Sequence, residues 1–92
     1  MHKVVRYTIP KEEGLFSLNL PKQTKILSVK EQQRDTLQLW ALINENVVTL
    51  EKRSFLHVAS DTPIKEKASS LSYIDTFFLD VKNYVGHLFE IK

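Results

Sequence analysis

A mostly β fold is what the sequence predicts: a small antiparallel sheet of six to seven strands, curled into a barrel or sandwich. Three observations predict it. Short apolar runs alternate with polar residues at period two, prolines and polar clusters punctuate those runs, and one run is apolar on both faces, as a central strand is. One short helix in the single non-alternating insert would make the class α+β.

The elements follow in order. Val5, Tyr7 and Ile9 alternate with Arg6 and Thr8, and Pro10, lacking a backbone donor, ends the first strand. Lys11 to Gly14 reads as its turn. Phe16, Leu18 and Leu20 alternate with Ser17 and Asn19, and Pro21 stops the second strand. TKILSVKEQQ and TLQLWALIN, separated by the polar pair Arg34 and Asp35, form an antiparallel hairpin. In its second arm Leu37, Leu39, Ala41 and Ile43 share one face, while Trp40 and Leu42 make the other apolar. A buried run of this length is ambiguous with a helix, and strand is preferred.

After the turn Asn44 to Asn46, VVTLEKRSFLHVAS reads as one bent strand. Its charges gather early, at Glu51, Lys52 and Arg53, and its large apolar residues late, which places the first half at a solvated edge and the second inside. DTPIKEKASS, with Pro63 and four charges, reads as a loop of weak helical potential. LSYIDTFFLD and YVGHLFEI, flanking Val81, Lys82 and Asn83, predict a terminal hairpin. The expected core is Tyr7, Phe16, Leu18, Ile26, Leu27, Leu39, Trp40, Ile43, Phe55, Tyr73, Phe77, Leu88 and Phe89. Each such side chain, once buried, contributes roughly 1.5 to 3 kcal/mol.

Composition narrows function. At 92 residues the chain is one domain, 1–92, with little stability to spare for a deep cleft. With no cysteine, disulfides, thiolate metal sites and cysteine nucleophiles are excluded. No signal-peptide or membrane-spanning run occurs, so a cytoplasmic location and no membrane partner are expected. Thirteen Lys and Arg against 11 Asp and Glu is too mild a surplus, and too dispersed, to indicate nucleic acid by itself.

Little catalytic chemistry is signalled. With two glycines, neither a phosphate-binding loop nor a dinucleotide fingerprint can be built. His2, His57 and His87 lack the short spacings of zinc ligands; for His57 and His87, on strands beside large apolar residues, the expectation is a half-buried imidazole with one backbone partner. Glu51 and Glu90 are the acids nearest aromatic strands, but neither a desolvated pocket nor an oriented partner is signalled. An ion pair between Arg53 and Glu90 across strands is expected. No enzyme activity, cofactor or metal is anticipated.

Nearly the whole chain also carries a resemblance. VVRYTI, LNLPKQTKILSVKEQ, LQLWALIN, EKRSFLHV, YIDTFFL and VGHLFEI, in that order, resemble an uncharacterised family of small bacteriophage and prophage proteins, known as a domain of unknown function. The matching positions are Tyr7, Leu20 with Pro21, Ile26 with Leu27 and Val29, Leu39 to Leu42, Glu51 with Arg53, and His87 with Phe89 and Glu90. The chain departs from the pattern between Asp61 and Leu71, where lysine, alanine and serine replace glycine and proline. The resemblance implies a phage-type accessory protein acting on a host protein or nucleoprotein complex, including anti-CRISPR or anti-restriction inhibition, in the bacterial host cytoplasm. It implies no activity.

Two expectations result. The first is a protein-binding inhibitor or adaptor, docking through exposed charges at Lys52, Arg53, Lys65, Glu66 and Lys67. The second is a small nucleic-acid-binding barrel, with Arg6, Lys25, Lys30, Lys52 and Arg53 on phosphates and Tyr7 or Tyr84 stacking on bases. Oligomeric state and strand order are open.

Overall fold

A computed structural model describes residues 1–33, 36–80 and 83–92. The turn residues Arg34, Asp35, Val81 and Lys82, named above, lie outside the described residues. Among those described, seven strands run β1 (His2–Ile9), β2 (Gly14–Pro21), β3 (Lys25–Glu31), β4 (Leu37–Asn44), β5 (Leu50–Ala59), β6 (Leu71–Leu79) and β7 (Tyr84–Ile91). A 3-10 turn at Ala68–Ser70 is the helical element described. The preference for a strand over a helix at 37–44 holds.

The strands form two antiparallel sheets. One is ordered β1-β4-β3 and the other β2-β5-β7-β6. The expected hairpins β3–β4 and β6–β7 are present, whereas β1 and β2, joined by a short turn, pair in different sheets, with β4 and β5 respectively. The sheets are layered as a sandwich and do not close, so of the two expected forms the barrel is set aside.

Period-two alternation explains the layering. From the first sheet Ile9, Leu37, Leu39, Ala41 and Val29 point inward, and from the second Leu20, Phe55, Phe77, Leu79 and Leu88 meet them. Tyr7, Phe16, Leu18, Ile26, Ile74 and Tyr84 pack around this cluster. Phe16 stacks on Phe55, with ring centroids 5.4 Å apart.

Along one seam β3 lies beside β6, and carboxylates replace the missing ladder bonds. The Val29 amide donates to Asp75 Oδ2 at 2.9 Å, and the Asp80 amide to Glu31 Oε1 at 3.1 Å. Both strands bulge near this seam, β3 between Ile26 and Ser28 and β6 between Tyr73 and Asp75. The β3 bulge corrects part of the expected core, because it leaves Leu27 41% exposed. Tyr73, also expected inside, is 60% exposed on the outer face.

Candidate functional site: a groove on the outer face of the larger sheet

The outward residues of the larger sheet form cross-strand rows. Leu15, Leu56, Phe89 and Tyr73 lie in register across all four strands. Ser17, Ser54, Ile91 and Leu71 lie on the same face on the side toward the β7 C-terminus. Tyr73 meets Phe89 edge to face, centroids 5.9 Å apart. Leu15 and Tyr73 are exposed, whereas Leu56 and Val58 are buried without belonging to the central cluster. The segment 60–70 lies on this same face, with Ser60 against His87 and Glu66 lining a groove beside Leu15 and Ser54.

That segment is a crossover, because β5 and β6 both run antiparallel to β7 and are parallel to each other. It is tied down at both ends. At its start, Ser60 Oγ lies 2.7 Å from His87 Nε2; at its end, the Lys92 amide donates to the Ser70 carbonyl at 2.8 Å. Between the crossover and the sheet runs a groove of about 390 Å³, lined by Leu15, Phe16, Ser17, Lys52, Ser54, Glu66 and Ile91. Its floor is apolar and serine-rich, and a cation and an anion stand at its walls.

The expected docking residues separate on this geometry. Lys52 and Glu66, 14 positions apart in sequence, both line the groove. Lys65 and Lys67 flank Glu66 and are exposed. Arg53 points the other way: it shares the inward parity of Phe55 and is held by Glu90, Nε to Oε2 at 2.6 Å and Nη2 to Oε1 at 2.7 Å. It also donates to the Thr24 carbonyl, closing one end of the interior. Hydrogen bonding to the Glu90 carboxylate raises the Arg53 pKa further above its usual value, against a smaller opposing effect of burial. The expected ion pair is therefore present, and Arg53 leaves the set of exposed docking charges. Glu66 is half-buried, not fully exposed.

The histidines occupy three different places. His2 lies on the outer face of the smaller sheet. His57 is fully buried and contacts the Tyr84 hydroxyl, Nε2 to Oη 2.8 Å. Desolvation lowers its pKa from the ordinary histidine value, opposed by the Glu13 charge and the Glu12 and Pro10 carbonyls, so it is buried neutral. Desolvation likewise raises the Tyr84 pKa, with a further push from Glu13. The expected half-buried imidazole is thus corrected for His57, which is fully buried, with the Tyr84 hydroxyl as a side-chain partner beside the Glu12 and Pro10 carbonyls.

His87 is half-buried on the groove-bearing face and contacts two hydroxyls, Ser60 Oγ and, at 3.0 Å, Thr76 Oγ1, which in turn lies 2.8 Å from Tyr73 Oη. This Ser-His-Thr-Tyr chain is the nearest approach to nucleophilic machinery, and no local pattern hints at it because its members come from three separate segments. A serine nucleophile activated by histidine needs a third group that stabilises the imidazolium, and a neutral threonine hydroxyl does this poorly. The chain ties Ser60, at the start of the crossover, to β7 and β6.

The residues of the nucleic-acid expectation also divide. Arg6, Lys25 and Lys30 lie on the outer face of the smaller sheet, Lys52 on the larger sheet, and Arg53 inside. Tyr7 packs against the core and Tyr84 is engaged with His57, so neither presents a free ring.

Fold and groove define a small antiparallel β-sandwich-like domain with a candidate binding surface on one outer face. Its family is shown directly: residues 1–92 match Domain of unknown function (DUF7352), and the chain belongs to that family. Neither the curated proteins nor the solved structures contain a match. Among the described residues, no helix is long and apolar enough to cross a membrane, and no group of three His, Asp or Glu is placed to hold a metal ion.

Proposed function

We propose that this domain is a non-catalytic binding protein that docks a partner polypeptide in the groove between the crossover and the larger sheet. The observation that supports it most is the apolar row Leu15, Leu56, Phe89 and Tyr73, open at both ends, with Leu15 64% and Tyr73 60% exposed. Large apolar side chains aligned across a sheet and rimmed by charge are the anatomy of a protein interface. Lys52, Lys65 and Lys67 around the single Glu66 favour a partner segment with an apolar anchor and acidic neighbours.

The resemblance to small phage and prophage proteins supports a host protein or nucleoprotein complex as that partner. Docking would then inhibit a defence system such as CRISPR or restriction. The test compares tagged wild-type protein with a Leu15→Asp variant, altered at an exposed groove residue, as bait in host lysate, after matching their thermal unfolding. The expected result is a partner retained by the wild type and lost on substitution. Identical capture by the two baits, whether of the same proteins or of background alone, contradicts the groove.

A further inference from the structure

The opposite side of the molecule presents a different chemistry. Register places Arg6 beside Trp40 and Trp40 beside Ser28 across β1, β4 and β3; one row away lie Val4, Leu42 and Lys25, and on the other side Thr8, Gln38 and Lys30. Three cations therefore surround the only tryptophan of the chain on the outer face of the smaller sheet. Arg6, Lys25 and Lys30 are exposed, and the indole is half-exposed and outside the core cluster. Among the described residues no carboxylate occupies an outward position on these three strands, and neither Lys25 nor Lys30 is in a described ion pair. Arg6 donates to the neutral amide of Gln32 at 3.4 Å.

Beside Arg6 the same face holds a polar hollow of about 170 Å³, lined by Arg6, Thr8, Gln32, Gln33, Thr36 and Gln38. Within it Gln38, 7% exposed, donates to Thr8 Oγ1 at 3.1 Å, so the amides placed to meet a base edge are those of Gln32 and Gln33. A flat sheet surface with an aromatic ring for stacking, cations for phosphates and amides at one end is the arrangement by which sheets hold single strands.

We infer that the outer face of β1, β4 and β3 binds single-stranded nucleic acid, with a base stacked on Trp40 and phosphates on Arg6, Lys25 and Lys30. This site is separate from the protein-docking groove and uses none of its residues. A domain with both surfaces is suited to a nucleoprotein target, one face for each component.

Because there is one tryptophan, its fluorescence reports this face alone. Titration of the protein with a labelled oligothymidylate at low salt is expected to quench Trp40 and raise the label's anisotropy together, both saturably. The slope of log affinity against log salt should be about −2, since three phosphate contacts contribute about −0.7 each on a single strand. Replacing Arg6, Lys25 and Lys30 with alanine should weaken binding by at least about tenfold and flatten that slope. Replacing Lys52, Lys65 and Lys67 with alanine removes the same charge from the other sheet and should leave binding unchanged. Heparin should bind without comparable quenching. The inference is overturned by absence of saturable quenching at low salt, by equal weakening in the two triple variants, or by heparin quenching Trp40 as strongly as the oligonucleotide does. Because the two triple variants act on opposite faces, loss of this inference leaves the groove standing, and the reverse.

Discussion

The two sheets obey one alternation rule, yet their outer faces end differently. On the smaller sheet the outward positions of the edge strands are mainly polar or cationic, and Trp40 of the central strand stays at the surface among them. On the larger sheet Leu56 and Val58, outward on the central strand β5, are both buried, and the 60–70 crossover lies on that same face. The difference teaches that a strand apolar on both faces does not fix its own surroundings. A covered face becomes a second small core with a groove at its margin; an uncovered one becomes a platform.

The largest effect that would break this contrast is at Leu56. Leu56→Ala should destabilise by about 3 kcal/mol in urea unfolding, as deletion of a buried leucine does. Trp40→Ala, on the uncovered face, should cost clearly less despite removing more atoms. Equal costs would mean that both faces are packed alike.

Gly86→Ala comes next. A Cβ there would lie 2.6 Å from the ring of buried Phe77 and 2.8 Å from that of partly buried Tyr84, so these aromatics must move. A loss of about 2 kcal/mol is expected, read as a lowered urea midpoint at unchanged m-value.

Two neighbours on β5 sharpen the inward–outward distinction. Arg53→Ala should cost about 2 kcal/mol, because it strands the Glu90 carboxylate and the Thr24 carbonyl, although partial exposure of both ion-pair partners moderates the loss. Lys52→Ala should stay within about 0.5 kcal/mol. A double-mutant cycle between Arg53 and Glu90 should show coupling, and one between Lys52 and Glu90 none.

The smallest effect concerns His57. Its folded-state pKa lies below the unfolded value near 6.5, so the unfolded chain takes up the proton first. Its contribution to stability is complete above about pH 6.5 and declines as pH falls through that window. In a His57→Gln variant that decline should be absent, so the stability gap between wild type and variant should narrow from pH 7.5 to 5.5.

Much of the fold was legible in the residues, because local alternation and proline stops mark strands and short polar turns mark the β3–β4 and β6–β7 hairpins. The crossed pairing of β1 with β4 and β2 with β5 was not, since it depends on contacts 28 to 43 residues apart that leave no local trace. The Arg53–Glu90 pair was expected from the sequence, but the inward course of Arg53, which its shared parity with Phe55 and His57 carries, was missed when it was placed among the exposed docking charges. The orientation of Trp40 was not readable, because β4 is apolar on both faces and only the stacking of the two sheets, with the crossover lying over the other one, decides which face is buried. Of the docking charges, Lys52 and Glu66 meet through that same crossover, and Arg6, Lys25 and Lys30 converge only once the strand order β1-β4-β3 is known.

The most direct measurement of the two-faced account is a heteronuclear NMR titration of the labelled protein with a short oligothymidylate at low salt. The indole signal of Trp40 and the amides of Arg6, Lys25, Ser28 and Lys30 should shift, while those of Leu15, Lys52, Ser54 and Tyr73 stay in place. Shifts distributed over both sheets, or confined to the larger one, would contradict it.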